Sequence, residues 1–225
     1  MTKMAVMPPR FDLQKVGVLS GDLVTEMNHD IEMVIKEAAD TVIAASSLSA
    51  ADLDLSDQVL ADHPELRTAI FEQDAAVKKV HTALAGAGKE IDIKYEGNAD
   101  PLADAADCDY LVFMEGNGFF STTGAEVASI ALAALFGGGS PQSGTFLSAF
   151  VVDVTRQEVI WYNQVDEKPS DPRKPTNLLG DVKKLFKPLL GKSFVQWDDS
   201  RDHEITDRYK ERMKAAEAKD SAKQP

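Results

Sequence analysis

Cysteine is nearly absent from this chain: Cys108 is the only one among 225 residues, so an internal disulfide is excluded. Long apolar runs are missing too, since the longest, residues 127–136, is about half of what a bilayer-spanning helix needs. Basic residues are scarce, with 24 Lys and Arg against 37 Asp and Glu, and the formal net charge is -13. Phosphate backbones and anionic membranes repel such a chain, so we expect no nucleic-acid partner.

The sequence also lacks the spacing that a metal site requires. A zinc site needs nitrogen, sulfur or oxygen donors that converge at short separations, and no histidine here has a second histidine or a cysteine three or four residues away. The four histidines are His29, His63, His81 and His203. His29 and His81 lie on predicted helices mainly among charged neighbours, so we place these two at the surface, and we predict no metal.

Catalytic residues are not indicated either. Acidic neighbours raise the pKa of a thiol, so Cys108, between Asp107 and Asp109, is predicted to be a small core residue. The carboxylates of Asp100, Asp104, Asp107 and Asp109 are interpreted as a solvated face, because no apolar pocket surrounds them. No serine lies in a nucleophile elbow. The sequence predicts a protein that is not an enzyme and has no cofactor.

What is present is a strong hairpin pattern. Residues 146–154 form a run that is apolar on both faces, a polar turn occupies 155–157, and a second strand follows at 158–162. A strand that is apolar on both faces belongs in the middle of a covered sheet. Its partner is one short turn away, so the two strands are predicted to pair antiparallel.

The remaining pattern predicts an α/β fold, a mixed sheet flanked by helices. Apolar stripes at helical spacing predict three long helices. Shorter elements are a first strand, a two-turn helix, and a strand leading into turns. The three long helices are predicted at 22–42, 64–85 and 177–190. The shorter elements are strand 4–7, which is stopped by Pro8 and Pro9 and followed by a loop through Val18, helix 100–106 and strand 110–114. We assign residues 1–195 to a single domain and 196–225 to a charged helical or disordered tail.

Two glycine-rich stretches, residues 116–124 and 137–145, are predicted to be turns. The second faintly resembles a phosphate loop but lacks its lysine, and a strand follows it instead of a helix. No Lys or Arg lies between Lys94 and Arg156 to meet an anion. An alternative remains open, a cytoplasmic α/β enzyme or nucleotide-binding domain that uses these turns. Residues 125–136 fit either a helix or a strand, and their alanine content favours a helix.

The order of several short motifs resembles a known group of proteins. The motifs are Pro8-Pro9, residues 106–110, residues 119–124, residues 149–153, residues 158–161 and the helix at 178–190. Together they resemble small periplasmic lipoproteins of Gram-negative bacteria related to the curli-secretion lipoprotein and the penicillin-binding-protein activator lipoprotein. They are also similar to the N-terminal domain of the Tol-system β-propeller protein. Asp153 and Trp161 match the family pattern, whereas Arg156 and Gln157 replace its glycine turn.

This resemblance implies a non-catalytic accessory, scaffold or assembly factor of a cell-envelope machine. It also implies a periplasmic location, with an outer-membrane anchor on a lipidated cysteine upstream of Met1. The expected partners are other envelope proteins, with contact to the membrane only through that anchor. Phe119, Phe120, Trp161 and Tyr162 are the candidate partner contacts because aromatic residues dominate interface energetics, and the alternative is that they are core. We also expect a homo-oligomer, since an edge strand can pair with its copy.

Overall fold

The structure, a computed structural model, describes residues 2–16, 21–23, 25–46, 48–86, 92–121, 143–191, 204–208 and 210–211. These residues form one mixed sheet of seven strands flanked by helices, which confirms the predicted α/β class. The strands are β1 Lys3–Val6, β2 Arg10–Val16, β3 Gly21–Leu23, β4 Ser49–Ala51, β5 Tyr110–Ser121, β6 Ser143–Asp153 and β7 Glu158–Glu167. The helices are α1 Thr25–Ala44, α2 Asp57–Asp62, α3 Pro64–Gly86, α4 Asp100–Ala106 and α5 Pro175–Leu190.

β5 is the centre of the sheet. On one side it pairs antiparallel with β6, from Tyr110 opposite Asp153 to Phe120 opposite Ser143. On the other side it pairs parallel with β1 first and then with β2. β4 lies outside β1, β3 outside β2, and β7 outside β6. Two short strands, β1 and then β2, therefore pair with successive parts of the same side of β5.

The turn predicted at residues 116–124 is wrong for residues 116–121, because β5 continues to Ser121. A Cβ on Gly116 would lie 2.6 Å from Leu147 Cδ2 and 2.7 Å from the Phe146 carbonyl oxygen. Glycine is needed there for close packing between strands, and not for a turn. The long pairing with β6 overrides the local turn composition, as tertiary context often does in strands.

The predicted loop through Val18 is also wrong, because Arg10–Val16 forms β2. Its buried Phe11 and Leu13 alternate with polar residues, the two-residue period of a half-buried strand. Where β2 has no neighbouring strand, side chains of α1 bind its backbone. Glu32 Oε1 accepts the Phe11 N–H at 3.0 Å, and Asn28 Oδ1 accepts the Leu13 N–H at 2.7 Å.

Helices cover both faces of the sheet and create two apolar cores. α1 and α5 pack on one face, and their buried stripes match the helical spacing seen in the sequence. α3 and α4 pack on the other face, and their core includes Phe113 and Phe150. Within the predicted tail, residues 204–208 form a helical turn, and Ile205 is buried in the first core. No helix in the described part of the chain is both long and apolar enough to cross a bilayer.

The β6–β7 hairpin confirms the predicted antiparallel pair. β7 extends to Glu167, beyond the predicted end at Tyr162. Gln157, in the turn, has a φ of 53° in the left-handed region. Pro188 lies in the last turn of α5, and the helix ends at Leu190, as predicted.

Several predicted features lie outside the described residues. They are the segment 125–136, the glycine-rich residues 137–142, His203 and most of the tail after residue 191. The last residues of the second glycine-rich stretch are described, and Ser143, Gly144 and Thr145 belong to β6.

Candidate functional site

Two of the four aromatic candidates face α1 and α5. Phe120 is only 5% exposed, and the Arg173 guanidinium carbon lies 4.1 Å from the centre of its ring. Trp161 stacks on Phe186, with ring centroids 5.9 Å apart. Phe120 is therefore a core residue, whereas Trp161 remains half-buried at the margin of the core.

The other two aromatic candidates lie on the opposite face of the sheet. Phe119 is half-buried against Gly144, where an added Cβ would come within 2.6 Å of the ring. Tyr162 packs against the second core, and its hydroxyl lies 2.6 Å from Gln164 Oε1, to which it donates. The four side chains consequently do not form one contact surface. Their role as partner contacts stays a prediction, and it is best placed on the two residues of β7.

β7 presents an open backbone edge. Its first residues are covered, because the Tyr95 N–H donates to the Gln157 carbonyl and the Val159 N–H to the Ile93 carbonyl, both at 2.9 Å. Within the described part of the chain, residues 161–167 pair with β6 alone, and Ile160 lies at a bulge between Val159 and Trp161 without a pairing partner. Ile160 is 43% exposed. We call residues 160–167 the β7 edge.

The acidic residues of β7 each have a lysine partner. The pairs are Glu158 with Lys94 at 2.6 Å, Asp166 with Lys168 at 3.3 Å and Glu167 with Lys184 at 2.8 Å. Exposed pairs of this kind contribute little to stability. They do reduce the negative charge along the edge, which would otherwise repel an approaching strand.

A polar cleft of about 500 Å³ lies between α3 and the sheet. We call it the α3 cleft, and its lining includes Arg10, Lys78, His81, Glu115 and Asn117. His81 Nε2 lies 3.1 Å from Glu115 Oε2 without the alignment of a hydrogen bond. Burial lowers the pKa of His81, and Glu115 opposes this shift only in part. The imidazole is therefore neutral at neutral pH.

The predicted surface placement holds for His29 but is wrong for His81, whose side chain is half-buried in the α3 cleft. Sequence reasoning missed this cleft. The sequence of α3 did contain an indication of it, because Asp74, Lys78 and His81 are spaced so that they lie on one face of this amphipathic helix. Arg10 on β2, beside Asp74, and Glu115 on β5, beside His81, are distant in the chain, so the spacing alone did not reveal the cleft.

The four aspartates near α4 do not converge on one site. Asp100 and Asp104 line an open cleft of about 630 Å³, whereas Asp107 and Asp109 both contact Lys3. The contact with Lys3 holds the pKa of Asp107 below its usual value. No group of three or more potential metal ligands occurs among the residues that the structure describes.

Cys108 is half-buried beside these aspartates. Burial is the main cause that raises the pKa of its thiol, and the neighbouring Asp109 and Asp107 add to the shift. A raised thiol pKa disfavours the reactive thiolate. The direction agrees with the sequence-based expectation, although burial contributes more than the acidic neighbours.

Comparison with known proteins gives fold-level similarity only. No protein-family model matches the chain, and no curated protein does. Among solved structures, a hypothetical protein from Chlamydia trachomatis is similar at 10% identity and a TM-score of 0.38, covering 87% of this chain and 98% of that one. The PelC dodecamer from Paraburkholderia phytofirmans is similar at 12% identity and a TM-score of 0.39, covering 84% of this chain and 89% of that one. At these values the similarity carries no functional conclusion for this chain.

Proposed function

We propose that this chain is a non-catalytic accessory or scaffold domain of the Gram-negative cell envelope, and that it binds proteins through the β7 edge. The motif resemblance at residues 106–110, 149–153 and 158–161 supports the envelope location. The observation that carries the binding mode is the open outer side of β7 at residues 160–167, which has no strand beyond it among the described residues and carries the partly exposed Ile160, Trp161 and Tyr162.

An open edge binds an extended segment by adding it as another strand. Backbone hydrogen bonds supply affinity, and alternate side chains supply specificity. Trp161 and Tyr162 point to opposite faces, so an added strand contacts one aromatic ring on each face. A second copy of this chain fits the same geometry, because two identical edges can pair about a two-fold axis. The β7 edge is thus the surface expected to bind both envelope proteins and its own copy.

The open alternative, a nucleotide-binding domain, is weakened by the position of the glycines. Gly116, Gly118 and Gly144 lie inside paired strands. A phosphate loop requires free backbone N–H groups that converge at a helix N-terminus. Glycines held within strands do not supply that arrangement.

A single charge on the β7 edge tests the binding mode. We expect Ile160→Lys to weaken self-association about tenfold or more, because an edge lysine opposes strand addition. Phe71→Lys is the matched control, since Phe71 is 82% exposed and belongs to α3, outside the β7 edge. Sedimentation equilibrium measures the dissociation constants, and thermal unfolding confirms that both variants fold.

Equal weakening by the two substitutions would contradict the use of this edge. So would a wild-type chain that stays monomeric at every concentration reached. In either case the open backbone of residues 160–167 would not be a binding surface for a second copy.

Location is tested separately with the product of the natural gene, expressed from its own start codon. We expect incorporation of labelled palmitate and recovery in the outer-membrane fraction, as for other envelope lipoproteins. Unlabelled protein in the cytoplasmic fraction would contradict the envelope assignment without affecting the conclusion about the β7 edge.

A further inference from the structure

The helix wall of the α3 cleft is a polar stripe. Asp74, Lys78 and His81 are spaced by four and three residues, so they share one helix face. Arg10 forms an ion pair with Asp74, and this pair bridges the sheet and the helix beside the cleft. The α3 cleft is therefore walled by charged groups that fixed elements hold in place.

The sheet wall comes from β2 and β5. Asp12 lies two residues after Arg10, and Asn117 two residues after Glu115, so all four project from one face of the sheet. The half-buried Phe146 of β6 adds an apolar ring to the lining. The volume of about 500 Å³ falls in the range of small-molecule sites.

Besides His81 and Glu115, whose contact is neither an ion pair nor a hydrogen bond, three polar side chains in this lining are unpaired. Within the part of the chain that the structure describes, the side chains of Asp12, Lys78 and Asn117 take part in no ion pair or hydrogen bond. Asp12 and Lys78 do not pair with each other. The lining thus offers the free carboxylates of Asp12 and Glu115, one free ammonium group, and an amide that both donates and accepts.

We propose that the α3 cleft binds a small zwitterion with a primary ammonium and a carboxylate, such as a free α-amino acid. The ligand's ammonium group donates to Asp12 and its carboxylate accepts from Lys78. Asn117 contributes a hydrogen bond to either end, and the side chain packs against Phe146. This binding is independent of the protein-binding role proposed for the β7 edge.

A zwitterion fits better than a ligand with a single charge. A simple anion would pair with Lys78 but would also face the carboxylates of Asp12, Glu32 and Glu115. A simple cation would pair with Asp12 and Glu115 but would leave the Lys78 ammonium group without a partner. Only a ligand that carries both charges satisfies free groups of both signs, and charge-assisted hydrogen bonds are the stronger kind.

Thermal shift and titration calorimetry with the whole chain test this assignment. The probes are the free L-amino acids and glycine, compared with ethylamine, propionate and glycine betaine. We expect at least one amino acid to raise Tm by about 3 °C or more when present well above its dissociation constant. Ethylamine, propionate and betaine should give no comparable shift, because each lacks one charge or the N–H donors.

Substitutions locate the binding within the cleft. Lys78→Met and Asp12→Asn are each expected to weaken amino-acid binding about tenfold or more. Lys79→Met is the matched control, because Lys79 is the next residue of the same helix but pairs with Glu96 outside the cleft. It should leave the dissociation constant unchanged, which separates a local contact from a general change in charge.

The assignment is overturned if no amino acid shifts Tm, or if ethylamine, propionate or betaine shifts it equally well. It is also overturned if Lys78→Met and Lys79→Met weaken binding to the same extent. None of these results bears on self-association through the β7 edge, so the two proposals fail or survive separately.

Discussion

The two halves of β5 differ in what surrounds them. The first half, between β1 and β6, has both faces in apolar cores, and Leu111, Val112, Phe113 and Met114 are all buried. The second half, between β2 and β6, keeps one face under α1 and α5. Its other face presents polar groups to the α3 cleft. One strand therefore provides stability at its beginning and a polar surface at its end.

The largest expected effect comes from breaking the first half. Phe113 stacks between Tyr95 and Phe150, with ring centroids 5.2 and 5.1 Å away. Phe113→Ala should cost about 3–5 kcal/mol of unfolding free energy because it leaves a cavity between two rings. Phe119→Ala, in the second half, should cost about 1–2 kcal/mol since that ring is already half in water. Urea denaturation measures both, and equal losses would contradict the distinction between the halves.

A pH-dependent effect comes from the covered face of the second half. Thr145, opposite Gly118 of β5, lies 3.3 Å from the Ser170 carbonyl, and the Ser170 hydroxyl donates to Asp181 at 3.0 Å. Burial raises the pKa of Asp181 to about 6, and the hydrogen bond from Ser170 opposes this only in part. Polar groups therefore occur even where α5 covers this half.

The sign of that effect follows from proton binding. The folded-state pKa of Asp181, about 6, exceeds the ordinary value of 3.8, so the folded protein keeps a proton that the unfolded chain loses. Stability therefore falls as pH rises from about 4 to 6, and stays lower above that window. Asp181→Asn should raise the unfolding free energy by about 2–3 kcal/mol above pH 6 and by little at low pH. A constant difference across pH, measured by urea titration, would rule out this account.

A smaller effect tests why the second half contains glycine. Gly116→Ala brings a Cβ against the Phe146 carbonyl oxygen, which is backbone and moves little, so we expect a loss of about 1–3 kcal/mol. Gly180→Ala is the control, because no atom lies within 4 Å of its added Cβ in α5. There alanine should gain about 0.5–1 kcal/mol through helix propensity. If thermal unfolding showed both changes to be neutral, the claim that close strand packing requires glycine at position 116 would be wrong.

The same division explains which elements the sequence could predict. The first half of β5, the β6–β7 hairpin and the long helices carry strong apolar patterns that survive without knowledge of their neighbours. The second half begins with Gly116, Asn117 and Gly118, which locally favour a turn. Only its pairing with β6, a contact between distant segments, makes it a strand.

The candidate sites were harder to predict for the same reason. β7 is an edge strand because of the order of the strands in the sheet, and the sequence of a single strand does not determine that order. His81 was assigned to the surface because Lys78 and Lys79 precede it closely, while its contact Glu115 is remote in sequence. Phe119 and Phe120 were named together as candidate partner contacts, but adjacent strand residues point to opposite faces and cannot share one surface.

Asn28 and Glu32 have a consequence for the states that the protein visits before it unfolds. They bind two amides of β2 that a neighbouring strand would bind, at the end of the sheet opposite β7. When α1 detaches, those amides are freed, and the sheet then has an exposed edge strand at each end. We expect this partly unfolded species to add further copies at both edges, so the hydrogen bonds from Asn28 and Glu32 oppose fibre growth.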